Sequence, residues 1–377
     1  MSERQTMPAT PSPLARRYRR LMLTYPRAYR RERGEELLAT LLELATPDRA
    51  RPTLREAANL IGHGLRARLG RPASRTVVTW SVLTALVCGL YVAAMATRLA
   101  WETSRPHPDQ AETVAVLAEI LPGHQVDGIH PAQALFTFYT EPFGPQMLDS
   151  LMFGDGNEYA LGTTTASRDG IPPEPLEQAA ADAERRLRAG GWTVYPVTHN
   201  DTYSCIGPPC DPATIPRDTR LFAKRGDTVF ELELVPSRNT DSIYLGLSLS
   251  RATPAAVLPA GVAGGLAGAA VGWLLFGWAS RRTQDRHAVR GTATVLYAVT
   301  MLFWWGPILP SVPAAVTHHL DEPHPRWHPL WEWLGQPTFS LLFVAGCAAA
   351  LLGLCLAALP SRRRQPVVSH APGVEAR

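Results

Sequence analysis

Apolar residues along this chain are gathered into four runs that contain no Asp, Glu, Lys or Arg: Thr76–Thr97, Ala252–Ser280, Gly291–Thr317 and Trp333–Ser361. Each is at least as long as the roughly 20 residues that an α-helix needs to cross about 30 Å of hydrocarbon. The pattern predicts four transmembrane helices, placed at 76–98, 252–280, 291–317 and 333–361. Between and around them it changes character. Ahead of the first run, Leu14, Tyr18, Leu21, Met22 and Tyr25 recur at helical spacing with Arg16, Arg17, Arg19 and Arg20 around them. Leu37, Leu38, Leu41, Leu42 and Leu44 form a second apolar face. Leu54, Ala57, Ala58, Ile61 and Leu65 form a third, opened by a Thr53/Glu56 capping box. Three short amphipathic helices over residues 1–75 can bury one another's faces as a small bundle.

Residues 99–251 follow a different rhythm. Pro106–Gln110 reads as linker, while Ala111–Leu121 and Pro173–Leu187 read as helices, the latter stopped by Gly190-Gly191. Trp192–Val197, Leu221–Ala223, Thr228–Leu234 and Ser242–Ser250 read as strands, with Phe230, Leu232 and Leu234 alternating with Glu231 and Glu233. Arg225-Gly226-Asp227 spells an adhesion tripeptide, but it falls between two strands where a tight turn needs glycine. The expectation is an α+β domain with an antiparallel sheet. The fold class as a whole is an α-helical integral membrane protein with four transmembrane helices, a cytoplasmic helical bundle and an α+β extracytoplasmic domain.

Charge gives the orientation. Residues 1–75 carry 16 Arg against 7 acids, whereas residues 98–251 carry 12 bases against 21 acids. Arg66, Arg68, Arg71 and Arg75 precede the first run. Arg281, Arg282, Arg286 and Arg290 fill the 281–290 loop, and Arg362, Arg363 and Arg364 open the 362–377 tail. Short basic flanks resist translocation, so bundle, loop and tail are expected on the cytoplasmic side, with both termini there in a multi-pass cell-membrane protein. Trp101, Trp304, Trp305, Trp331 and Trp333 then fall near outer ends and Trp80 and Trp278 near inner ones, as aromatic belts require.

The residues Tyr25-Pro26, Tyr29-Arg30 and Gly34-Glu35-Glu36-Leu37-Leu38, continued by Leu41, resemble the signature of the small cytoplasmic modules called permease-prefix or HAAS-type domains. Similar heads precede membrane spans in actinobacterial integral membrane proteins of unassigned function. The resemblance covers about residues 13–70. It implies a regulatory or partner-binding module and carries no catalytic residue. Read from the residues alone, the same arginines would equally suit anionic lipid. Nucleic acid is not an expected partner of a helix bundle tethered at a bilayer.

Candidate chemistry is sparse. Cys205 and Cys210, in CIGPPC, are expected to form a disulfide in an oxidising compartment, and Cys88, Cys347 and Cys355 read as packing residues. The stretch between the third and fourth spans holds His318, His319, His324 and His328 beside Asp321, Glu322 and Glu332; these are weak metal candidates, because their spacing is irregular, and no metal or cofactor is assigned. Gly261, Gly264, Gly265, Gly268 and Gly272 stripe the second span and mark it for close helix packing, within one protomer or between two. Pro307, Pro310 and Pro313 are expected to end or kink the third span. Neither HExxH, GxSxG nor a P-loop occurs, and no span carries an ionisable group such as an ion-coupled carrier needs. The expected role is therefore non-enzymatic: regulation, sensing or scaffolding that couples the outer domain to the bundle. Its partners would be membrane lipids and a protein on the cytoplasmic side, with the membrane region a second place for one. The alternatives are an accessory subunit of a transport or export complex and, third, an extracytoplasmic hydrolase.

Overall fold

The computed structural model describes residues 12–46, 49–71, 73–101, 103–123, 128–131, 136–138, 141–142, 159–161, 163–170, 175–201, 217–236, 243–321, 329–334 and 340–360. Among the described residues four helices are long and apolar enough to cross a membrane, within Arg75–Trp101, Val257–Arg282, His287–Pro310 and Leu341–Ala358. By its internal contacts the chain divides into two units. One comprises Met1–Ala85, Val271–Leu302 and Ala345–Arg377, the other Leu86–Ala270 and Phe303–Val344. Each of the four long helices contributes one part to each unit.

The first unit begins with α1 (Pro13–Leu21), which runs into a 3-10 turn, Met22–Thr24. Helices α2 (Arg27–Glu43) and α3 (Leu54–Ala67) follow. The amphipathic spacing explains their packing: Leu14, Ala15, Tyr18, Met22, Tyr25, Leu38 and Leu60 are buried together, with Leu37, Leu41 and Leu42 against them. The capping box forms, with Thr53 Oγ1 accepting from the Glu56 amide and the Glu56 carboxylate accepting from the Thr53 amide. That carboxylate also accepts from the buried Tyr18 hydroxyl (2.9 Å) and from Arg49 (2.5 Å), tying α3 to α1.

Helix α4 (Arg75–Trp101) leads into the second unit, whose described residues hold α5 (Gln110–Ile120) and the strands β1 (Gly128–His130), β2 (Phe136–Phe138), β3 (Glu141–Pro142), β4 (Tyr159–Leu161), β5 (Thr164–Gly170), β6 (Thr193–Val194), β7 (Thr198–Asp201), β8 (Arg217–Arg225), β9 (Thr228–Pro236) and β10 (Ile243–Arg251). Helix α6 (Leu176–Ala189) precedes β6. A seven-stranded antiparallel sheet runs β1-β5-β10-β9-β8-β6, with β7 also on β8, and β3-β2-β4 form a second small sheet. Helices α5 and α6 cover one face, where Val116, Leu117, Ile120, Ala183 and Leu187 meet Leu221, Phe230, Leu232, Leu247 and Leu249. Gly191, at φ +77°, ends α6 while the Trp192 amide donates back to Leu187 O (3.0 Å), which is why the chain reverses there.

One expectation needs correcting. The third long helix, α8 (His287–Asp321), is not ended by its prolines and carries all three inside it; a proline removes one ladder bond but is tolerated in apolar helices whose freed carbonyls find other donors. Of the fourth run the structure describes the end of a short α9 (Leu330–Leu334) and α10 (Ser340–Ala358). Residues 106–109 form no helix or strand, as a linker would, yet Arg251 and Thr164 of the sheet donate to the Pro106 and Pro108 carbonyls. The second long helix is α7 (Val257–Arg282).

Candidate docking sites along the second long helix

Within the first unit, the residues that carry the bundle's sequence signature are mostly structural. Tyr25 is buried and stacks on Tyr29, with ring centroids 5.1 Å apart. Pro26 caps α2, and its carbonyl accepts from the Arg30 amide (3.1 Å). Gly34 is buried beside Met22, where a Cβ would lie 3.6 Å from Met22 Cε. Glu35 pairs with Arg19 (3.1 Å) and Glu36 is exposed. Leu38 is buried, with Leu37 and Leu41 half-buried around it.

The signature does not include the residues that seat this bundle. Arg68, just past α3, donates through Nε to Thr24 O (2.5 Å) and through Nη2 to Leu23 O (2.9 Å) and Tyr25 O (3.3 Å). It thereby satisfies the carbonyls that the 3-10 turn leaves open. Burial, and then the charges of Arg281 and Arg30, pull its pKa below the ordinary guanidinium value. A Cβ at Gly64 would overlap Thr24 Oγ1 and come within 2.8 Å of Tyr25, so α3 lies directly on that turn only because Gly64 lacks one.

The same end of α3 sits on α7. Trp273 Nε1 donates to Leu65 O (3.3 Å), and a Cβ at Gly277 would lie 2.9 Å from Arg68 O. At Gly70 (φ +76°) a Cβ would meet Arg281 Cγ at 2.5 Å. Beyond α7, Arg286 donates to Leu359 O (2.7 Å) and Leu356 O (3.0 Å), capping the carbonyl end of α10. The flanking arginines that the sequence offered only as topology signals thus include two, Arg68 and Arg286, with carbonyl ligands. The detectable signal was Gly277, which continues the glycine spacing of α7 beyond the stripe.

Within the second unit, the glycine stripe faces α4. A Cβ at Gly264 would lie 2.5 Å from Ala96 Cβ, one at Gly268 2.5 Å from Cys88 O, and one at Gly265 3.3 Å from Ala93 Cβ. Gly261 accommodates Trp331 of α9, whose Nε1 donates to Thr97 Oγ1 (2.8 Å). Gly272, in the first unit, is buried. Close by, Arg98 and Glu332 are both buried, and the carboxylate of Glu332 accepts from Trp101 Nε1 (3.3 Å). The charge-free run ended one residue too early to show that α4 closes on a buried arginine.

The base of the sheet is held by charge. Arg105 makes a bidentate pair with Asp227 (2.5 and 2.6 Å), holding that carboxyl below the usual carboxylate range. Arg251, at the end of β10, donates to Pro106 O (2.8 Å), Thr228 Oγ1 (2.7 Å) and both oxygens of Glu112. Thr164 donates to Pro108 O (2.6 Å), and Asp109 caps α5. His107 lies among these groups with both ring nitrogens buried and without a hydrogen-bond partner; burial, and then the Arg251 charge, lower its pKa. Arg225 and Asp227 of the adhesion tripeptide are both engaged inside the domain, Arg225 with Glu119 (3.0 Å) and over the Trp192 ring (4.4 Å), while Gly226 takes φ +61° as the turn requires.

His318 and His319 belong to the last turns of α8, whereas His324, His328, Cys205 and Cys210 lie outside the described residues. Among the described residues no three His, Cys, Asp or Glu side chains come together as ion ligands. Comparison with protein-family models, with curated proteins and with solved structures gives no match.

Proposed function

We propose that this chain is a regulatory or sensing protein of the cell membrane, in which an extracytoplasmic sheet domain is coupled through the packing of α7 to a cytoplasmic helical bundle that meets a protein partner. Its work is binding and relay, with no chemical step. The observation that carries this reading is the seat of α3 on α7. Trp273, Gly277 and Arg281 bring the bundle's exit turn onto the same helix whose other part packs on α4 through Gly264, Gly265 and Gly268. A bundle tethered by a loose linker could not report on a span; one docked without Cβ clearance can.

The orientation is supported by charge and by the grouping of contacts. The bundle and the 283–286 loop belong to one unit with Trp80 and Trp278. The acidic sheet domain belongs to the other with Trp101, Trp304, Trp305, Trp331 and Trp333. Arginine-rich flanks mark the cytoplasmic face. The rival reading as an accessory subunit docking through the glycine stripe has less support, because α4 of the same chain packs on Gly264, Gly265 and Gly268.

The test is Gly277→Leu in the full chain, assayed on membranes by limited trypsin cleavage within residues 12–71. The wild-type bundle should resist, the variant should be cut faster, and capture of a cytoplasmic partner by the full chain should fall with it. A variant that keeps both protection and partner would refute relay through this seat.

A further inference from the structure

Several arginines elsewhere in this protein are paired with carboxylates. Arg19 meets Glu35, Arg49 meets Glu56, Arg105 meets Asp227, Arg220 meets Glu233, Arg225 meets Glu119 and Arg251 meets Glu112. The junction of the bundle with α7 breaks that pattern. Arg68 places Nε and Nη2 on three carbonyls, which leaves its charge uncompensated. Arg281 lies against Gly70, two residues further on. Arg30 stands on the first turn of α2, just past Tyr25, whose carbonyl Arg68 holds. The Nε atoms of Arg30 and Arg71 are buried without a hydrogen-bond partner. Among the described residues no carboxylate pairs with Arg30, Arg68, Arg71 or Arg281. Arg68 feels the charges of both Arg281 and Arg30. Like charges kept together and partly desolvated need an anion.

The position narrows which anion. The Leu65–Gly70 segment touches α7 between Trp273 and Arg281, where an apolar helix gives way to its basic end; that is the level of lipid headgroups. Beside the cluster Leu23, whose carbonyl Arg68 binds, is 56% exposed. An apolar side chain next to clustered guanidinium groups suits an amphiphile better than a free ion.

We infer that the bundle–α7 junction binds the headgroup phosphate of an anionic phospholipid, with Arg30 and Arg281 meeting the phosphate oxygens, Arg68 and Arg71 adding charge, and Leu23 lying against the lipid's apolar part. The inference rests on the reading of the long helices as spans, and it holds whichever face of the bilayer carries the bundle. Its failure would leave the relay test above untouched.

The experiment is lipid retention by the purified full chain in mild detergent, read by native mass spectrometry with phosphatidylglycerol or phosphatidylcholine added. Phosphatidylglycerol should be retained in preference. Arg30→Gln with Arg281→Gln should weaken that retention, by about fivefold for each arginine removed. Arg16→Gln with Arg20→Gln removes the same charge from exposed positions of the same bundle and should leave retention unchanged. Should the first pair misfold, Arg281→Gln alone, at an exposed side chain, should still show about fivefold loss. Equal losses from both pairs, or equal retention of both lipids, would overturn the site. Displacement of the lipid by inorganic phosphate would reassign it to a free anion, and displacement by polyglutamate to an acidic protein; either result defeats the lipid assignment.

Discussion

At the scale of single residues, two side chains have environments that set measurable behaviour. Arg68 holds the carbonyls of residues 23, 24 and 25, and so fixes the turn on which α3 rests. His107 is the opposite case, a ring whose nitrogens are buried without partners beside the Arg251 cation. Its folded pKa lies below the ordinary value of about 6.5, so as pH falls through that value the unfolded chain binds a proton that the folded chain refuses. Stability is therefore whole above the unfolded pKa and is lost as pH falls through it. Thermal unfolding of the full chain in detergent should shift downward between pH 7.5 and pH 5.5, and His107→Gln should flatten that shift. An unchanged pH dependence in the variant would place the titration elsewhere. Sequence reading gave His107 no role, since an isolated histidine between prolines carries no periodicity; only the fold brings Arg251 to it from 144 positions away.

At the scale of elements, the long helices and the bundle were legible because apolar spacing and charge-free length follow from burial itself. Strands β8, β9 and β10 were legible in part for the same reason, although each runs beyond its alternating core. Strand β5 was not. Its residues Thr164–Gly170 include no large apolar side chain, and Thr164 and Ala166 are buried beneath neighbours that supply the bulk. It pairs with β10 along seven positions, so its place comes from partners rather than from its own pattern. The glycines of α7 show how far an element's sequence can be read: the stripe announces close packing, but not on which helix. Gly268→Leu should force α4 and α7 apart, since even a Cβ there meets Cys88 O at 2.5 Å. The loss should be about 1–3 kcal/mol or more in an unfolding assay. Gly306→Ala, with nothing within 4 Å of the added carbon, should stay within about 0.5 kcal/mol. Equal effects at the two positions would show that the α4–α7 seam does not bear on stability.

At the scale of the whole molecule, the proposed orientation is open to direct measurement. In a background where the five native cysteines are replaced by serine, Glu177→Cys on α6 and Asp285→Cys between α7 and α8 should react with an impermeant thiol reagent from opposite sides of the membrane. Labelling from one side would dismantle both the topology and the relay built on it. One feature of the sheet bears on what such a relay can carry. Strand β10 sits inside the sheet, between β5 and β9, and leaves it at Arg251, six residues before α7 begins. Those residues are pinned as well, with Ala252 N donating to Asp227 O (2.7 Å) and Val257 N to Pro254 O (3.0 Å). So short and so fastened a stalk has little slack to absorb torque. A tug or twist applied to the sheet by whatever grips it would arrive at the helix as motion rather than be lost in a swivel.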